Sequence, residues 1–152
     1  FKYPYRVNFI VKNFQELTTS ELYNLLQLRS EVFVVEQDCV YQDIDGKDLK
    51  ALHVIGSKEG SIVAYTRIFN SGEYFDTPSI GRVVVKDTER KYGYGHDLMK
   101  ASIQAIVDNY EETNITISAQ TYLKKFYESH GFQKVGEEYL EDGIPHIKMV
   151  KN

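Results

Sequence analysis

RKYGYGHDLMK, running from Arg90 to Lys100, joins two segments of opposite character. Before it, IGRVVV (Ile80–Val85) is apolar and β-branched, as expected of a buried central strand. After it, Met99, Ile103, Ile106 and Tyr110 recur on one face of a helix. The order is therefore strand, glycine loop, helix. A helix start offers unpaired N–H groups and the positive end of the helix dipole. Gly93 and Gly95 let that backbone approach a ligand closely, and Arg90 and Lys91 add positive charge beside it. These features predict a cradle for a phosphate or pyrophosphate. A tight turn without a ligand is the alternative reading of the same two glycines. A P-loop is excluded because no GxxxxGK[ST] string occurs. A dinucleotide fingerprint fails because Leu98 stands where its third glycine belongs.

The rest of the chain predicts one mixed α/β domain spanning residues 1–152, without repeats or long linkers. VNFIVKNF (Val7–Phe14) reads as a strand and Thr18–Gln37 as a helix, with Thr18 and Glu21 forming a capping box. Ala51–Ser57 and Ile62–Phe69 read as a hairpin, and Ile115–Ala119 as a further strand. Thr121–Phe132 reads as a short helix stopped by a glycine, and Val135–Val150 as a hairpin turning at Glu141-Asp142-Gly143.

Charge and composition narrow the function classes. A formal net charge of −4 argues against nucleic acid as the main partner. No apolar run approaches the ~20 residues that span a bilayer, and FKYPYRVNF has no signal-peptide apolar stretch. A single cysteine, Cys39, gives no internal disulfide. A cytoplasmic protein without membrane contact is the expectation. The four histidines are scattered without ligand spacing, so no metal is expected. DIDGKD (Asp43–Asp48) has its glycine fourth rather than sixth, which rules out an EF-hand and leaves a loop turn.

The chain resembles the GNAT N-acyltransferases, and within them the ElaA branch. The resemblance rests on LRSEVFVVEQ (Leu28–Gln37), YQDIDGKDL (Tyr41–Leu49), AYTRI (Ala64–Ile68), IGRVVV, RKYGYG (Arg90–Gly95), FYESHGF (Phe126–Phe132) and EDGIPHI (Glu141–Ile147). RKYGYG fits the [RQ]xxGx[GA] loop of that family. The resemblance implies a GNAT fold: a mixed, mostly antiparallel sheet, flanked by helices and splayed in the middle between IGRVVV and ITISA. It implies acetyl-CoA as co-substrate, the pantetheine on backbone groups of Val83 and Val85. The pyrophosphate would lie on Arg90, Lys91, Tyr92, Gly93, Tyr94, Gly95 and His96. The implied reaction is direct attack by a primary amine on the thioester. GNAT proteins often self-associate, so a homodimer is a further expectation.

The leaving thiolate needs a proton, and a tyrosine of pKa ~10 suits that task. Tyr127 matches the family's position for it, although Leu123, Phe126 and His130 share its stripe and a packed core tyrosine is the alternative. Glu36 and His146 lie in motifs matching the ElaA branch, and either could take the amine proton; the ordinary pKa of His146 is better matched. Arg67 alternates with Val63, Tyr65 and Phe69 on a mostly apolar strand face and is a candidate to touch the acceptor, with His53 a weaker one. Arg29 lies on an apolar helix stripe, where a structural ion pair with Asp45 or Asp48 is favoured over a substrate-anion site. Two rival readings remain open. One is an acyl-homoserine-lactone-synthase-like acyltransferase, against which the absence of tryptophan counts. The other is a CoA-binding module without catalysis, against which Tyr127 counts.

Overall fold

A computed structural model describes residues 6–152; Phe1–Tyr5, part of the N-terminal stretch read above, lie outside the described residues. Seven strands form one sheet in the order β1-β2-β3-β4-β5-β7-β6. They are β1 (Asn8–Asn13), β2 (Leu52–Lys58), β3 (Ser61–Phe69), β4 (Ser79–Val85), β5 (Ile115–Gln120), β6 (Gln133–Glu141) and β7 (Ile144–Lys151). Three helices accompany them: α1 (Thr19–Arg29), α2 (Tyr94–Tyr110) and α3 (Lys124–Glu128). All neighbouring strands are antiparallel except β4 and β5.

Side chains alternate across a strand, and here the alternation builds two cores. Val54, Ala64 and Ile68 turn to the face covered by α2, with Leu98, Met99 and Ile106. Ile55, Tyr65 and Val84 turn to the other face, with Leu25, Leu28, Val32 and Phe33 from α1 and the turn after it. Both hairpins turn on paired left-handed residues, Glu59-Gly60 and Asp142-Gly143, the geometry that matches strand twist.

Helix α1 begins as the sequence predicts. Thr18 Oγ1 accepts from Glu21 N–H and the Glu21 carboxylate accepts from Thr18 N–H, at 3.0 and 2.8 Å. Its far half departs from the expectation of one continuous helix to Gln37. Ser30–Glu36 is π-helical, with Gln37 N–H reaching back five residues to Val32 C=O at 3.1 Å. The wider turn lets both Val32 and Phe33 stay buried while Gln37 is carried to the mouth of the central cleft.

The sheet opens between β4 and β5. The two strands are parallel and share a single register pair, Ser79 with Thr116, fixed by Thr116 N–H to Pro78 C=O at 3.0 Å. Beyond it β4 carries a bulge. Arg82 has φ 50°, and the register slips so that Thr66 of β3 faces both Arg82 and Val83. A bulge bends its strand and increases its twist, which turns β4 away from β5. β5 instead pairs with β7 along its whole length. The result is the mixed, mostly antiparallel sheet, splayed in the middle and flanked by helices, that the sequence leads one to expect.

Candidate active site

The opened sheet leaves a cleft enclosing about 900 Å³ of empty space, its mouth included. β4 supplies one wall through Gly81, Arg82 and Val83; β5 supplies the other through Ser118 and Gln120, and Tyr127 of α3 reaches it from the side. The alternation of ITISAQ explains the second wall. Ile117 and Ala119 are buried in the core, so Ser118 and Gln120 must face the opening.

The backbone of β4 is prepared on the same side. Lys86 N–H bonds Val63 C=O of β3 at 2.8 Å. Along a strand, alternate residues turn their polar groups to opposite sides. Val83 and Val85 therefore present theirs toward the side that β5 has left. Arg90 Nε takes the Val85 carbonyl at 3.0 Å.

The glycine loop follows as a short 3-10 turn, Asp87–Tyr92, and α2 starts from Gly93. Gly93 has φ 76° and ψ 16°, a left-handed conformation that explains the glycine. No side chain caps the helix start. The N-terminal turn thus keeps donors available for an anion. Lys91 lies over the Tyr92 ring at 5.3 Å and adds positive charge; Lys58, 4.7 Å from the same ring, is paired with Glu89 at 2.7 Å. A Cβ on Gly95 would meet Phe126 at 3.5 Å, an ordinary contact, so packing alone does not demand a glycine there. The side chain of His96 turns away, toward α3, with Nδ1 2.9 Å from His130 Nε2. Burial, with His96 second, lowers the pKa of His130.

Tyr127 is almost fully buried and lines the cleft. Burial raises its hydroxyl pKa above the ordinary value, with a smaller contribution from Tyr122. It therefore carries its proton at neutral pH. His146, on β7, also lines the cleft and stacks on Tyr139 at 6.2 Å. Its Nδ1 lies 2.7 Å from the Ile144 carbonyl, which can only accept. In the neutral ring this leaves the lone pair on Nε2, 3.4 Å from Glu141 Oε2. Ser118 Oγ shares a short hydrogen bond with Tyr139 Oη and lies 3.4 Å from Glu141 Oε1.

The other candidates lie elsewhere. Glu36 stands at the end of the π-helical turn and grips Arg90 with both carboxylate oxygens, at 2.5 and 2.8 Å. It is not part of the cleft lining. Its pair with Arg90 engages both carboxylate oxygens, so neither is free to take an amine proton. The geometry therefore corrects the general-base expectation for Glu36 and makes it a tether of the loop arginine.

Arg67 has its side chain at the cleft, but it is not the free cation expected. It gives Nη1 and Nη2 to Asp45 at 2.8 and 2.9 Å, and Nη1 also reaches Asp48 at 3.0 Å. His53, on β2 opposite Arg67, is fully buried. Its Nε2 donates to Asp48 C=O at 2.9 Å, and its Nδ1 accepts from Tyr65 Oη at 2.6 Å. Burial lowers its pKa, so it is a neutral core histidine with no free nitrogen for a substrate.

DIDGKD supplies the partners for three arginines. Arg29 bonds Asp43 and Asp48 at 2.9 and 2.8 Å, so the pair expected with Asp45 or Asp48 forms with Asp48 and with Asp43 instead. Arg82 stands 2.7 Å from Asp43 and 3.4 Å from Asp45. Burial pushes the Asp48 carboxyl up, but Arg29 and then Arg67 outweigh it and hold its pKa below the ordinary value. Asp45 is lowered in the same way, against burial, by Arg67. Among the described residues, no group of three or more His, Cys, Asp or Glu is placed to hold a metal ion. No helix among them is long and apolar enough to cross a membrane.

Sequence reasoning passed over Ser118, Gln120, Tyr139, Glu141 and Gln37. The alternation in ITISAQ could have found the first two. Gln37 and Gln120 are brought together across the cleft mouth, 3.3 Å apart, by residues far apart in the chain, and no local signal announces that.

Known proteins agree with this geometry. Residues 15–152 match the model of the Acetyltransferase (GNAT) domain. Protein ElaA of Escherichia coli is 45% identical over 138 residues, 90% of each chain, and its crystal structure superposes with a TM-score of 0.90 over 97% of this chain and 100% of that one. An acyl-CoA N-acyltransferase from Pseudomonas aeruginosa gives a TM-score of 0.90 at 42% identity, covering 97% of this chain and 100% of that one. The acyl-homoserine-lactone synthase LasI shares the fold, with a TM-score of 0.79 at 14% identity over 95% of this chain and 89% of that one.

Proposed function

The chain belongs to the GNAT acetyltransferase family, in its ElaA-like branch, and from that premise we propose that it transfers an acetyl group from acetyl-CoA to the primary amine of a small molecule or peptide. The observation that carries this reading is Tyr127, a protonated phenol lining the cleft between β4 and β5.

The donor's pantetheine runs along β4, paired with the backbone of Val83 and Val85. Its pyrophosphate rests on the loop from Arg90 to His96, with Lys91, Tyr92, Gly93, Tyr94 and Gly95 contributing backbone at the start of α2. Arg90 is oriented by Glu36 and by the Val85 carbonyl. The acceptor enters from the side of Ser118, Glu141 and His146. Its ammonium gives one proton to His146 Nε2, whose tautomer Ile144 fixes. The free amine attacks the thioester carbonyl carbon, the C–S bond breaks, and the thiolate takes the Tyr127 proton. After attack the new amide nitrogen loses its second proton to water, which restores Tyr127. A tyrosine serves because its ordinary pKa lies just above that of a thiol, and burial keeps it protonated until the thiolate forms.

Thiol release from acetyl-CoA, followed across a panel of primary amines, tests the reading. Amine-dependent release, with the acetylated amine as product, is the expected result. Tight acetyl-CoA binding without release by any amine overturns it in favour of a non-catalytic module.

A further inference from the structure

Four formally charged side chains line the cleft: Arg67, Arg82, Glu141 and Asp142. The two arginines are already neutralised. With Arg29 they face Asp43, Asp45 and Asp48, three cations against three anions, in pairs from 2.7 to 3.4 Å. Glu141 differs. Among the described residues the basic group within ion-pair distance of it is His146, 3.4 Å away and a counter-ion only when its ring is protonated, and its other polar neighbour is Ser118 at the same distance. No lysine or arginine pairs with it. Asp142 beside it is a hairpin-turn residue of the same sign.

The wall near Glu141 is aromatic. Tyr74 lies between Phe69 and Phe75, with ring centroids 5.6 and 4.9 Å away, and all three line the cleft. Glu141 lines the same cleft as these three rings, and after burial its charge raises the Tyr74 pKa.

We propose that Glu141 selects the acceptor, and that the acceptor is a cationic primary amine with an apolar or aromatic body and no carboxylate. The inference rests on the transfer reading above and deepens it. An ammonium entering the cleft meets an unneutralised carboxylate beside His146, and its apolar body meets Phe69, Tyr74 and Phe75. A substrate carboxylate meets the same negative charge, and the two arginines that line the cleft are already paired with aspartates; Lys47 and Lys148, over the Tyr74 and Phe75 rings at 5.0 and 5.6 Å, are not among the residues that line it. Juxtaposed like charges and an unpaired desolvated carboxylate are strong rejecting elements. The cleft therefore separates an amine from the amino acid of the same side chain.

The test is a matched set: phenethylamine, phenylalanine and phenylalaninamide, with tyramine and tyrosine as a second pair, each assayed for kcat/KM at saturating acetyl-CoA. The amide keeps the bulk at the α-carbon and removes the charge. Wild-type protein should favour each amine over its amino acid by more than about tenfold, with the amide on the amine's side. Glu141→Gln should shrink the ratio to within about threefold, chiefly by raising KM for the amine, and Glu141→Lys should reverse it. Calorimetric affinity for acetyl-CoA should be unchanged in both variants. Equal or better use of the amino acids overturns the acceptor class while leaving acetyl transfer in place. An amide that behaves like phenylalanine overturns it too, since bulk and not charge would then decide. A ratio unmoved by Glu141→Gln removes Glu141 from the selection. No transfer to any member, with acetyl-CoA bound, overturns the transfer reading and this inference together.

Discussion

Two clusters of polar side chains flank the cleft, and they are built to opposite rules. On the β1–β4 side, Arg29, Arg67 and Arg82 meet Asp43, Asp45 and Asp48 in mutual pairs, and Arg29 is fully buried. On the β5–β7 side, Ser118, Tyr139, Glu141 and His146 gather with long contacts to Glu141, whose side chain is 40% exposed. In the first cluster every charge is answered inside the protein, so the cluster holds the Asp43–Asp48 loop and the bulge of β4 in place. In the second, Glu141 is answered weakly, which leaves capacity for an incoming group. Buried charge that is saturated is scaffold; polar groups left short of partners beside a cavity are where chemistry is available.

The largest test of this contrast lies on the open side. Tyr127→Phe removes one hydroxyl from the cleft and should lower kcat by about 10² to 10⁴-fold, the range for a lost general acid. Acetyl-CoA affinity measured by calorimetry should stay within about twofold. Unchanged turnover would return Tyr127 to the role of a packed core tyrosine.

On the saturated side the expected loss is stability. Asp48 serves both Arg29 and Arg67, so Asp48→Ala leaves buried guanidinium charge short of a partner. Denaturant unfolding should show a loss of about 3–5 kcal/mol, as for other broken buried pairs. A stable variant with an altered acceptor KM would instead put this cluster among the substrate-binding groups.

Acid should probe the same side. The folded-state pKa values of Asp45 and Asp48 lie below the ordinary carboxylate value. Their contribution is therefore fully present above about pH 4 and is lost as pH falls through the folded values, because the unfolded chain takes up protons first. His53 has the same sign, its depressed folded pKa costing stability as pH drops below about 6.5. Denaturation midpoints measured from pH 7 down to pH 3 should fall in two stages, a small one near the histidine and a larger one near the carboxylates.

Gly93→Ala should be milder. A side chain would meet nothing within 4 Å there, so the cost is the left-handed φ of 76°. That strain is about 1–2 kcal/mol, read as weaker acetyl-CoA binding, lower thermal stability, or both. Glu36→Gln should have the smallest effect, at most about fivefold in KM for acetyl-CoA with kcat retained, because its pair with Arg90 is partly exposed. A large fall in kcat would restore Glu36 as a base.

Much of this architecture was legible one segment at a time. The capping box at Thr18 and Glu21, the two hairpins and the run from strand through glycine loop to helix all formed as local periodicity and turn chemistry required. What local pattern hid were features set by partners far along the chain. The π-helical turn at Ser30–Glu36 has apolar residues on a plausible α-helical stripe, and the widened bonding shows only once Val32 and Phe33 pack against the sheet. The bulge at Arg82 interrupts an otherwise apolar run, and its left-handed backbone accompanies a guanidinium drawn to Asp43 and Asp45.

The same division runs through the site. Sequence alone determined the glycine loop, the positions of Tyr127 and His146 within their motifs, and the unusual placement of Arg29 and Arg67 on apolar faces. Those follow from residue type and short-range spacing. Tertiary structure decided which of those charges remain available. Arg67 and Glu36 read alike as candidates in one dimension, yet each is committed to a partner more than twenty residues away, at Asp45 and at Arg90. Glu141 gained its standing because, among the described residues, no lysine or arginine folded within ion-pair distance of it. The charge of a side chain is written in the sequence, but whether that charge is spent depends on which neighbours the fold brings within a few ångströms.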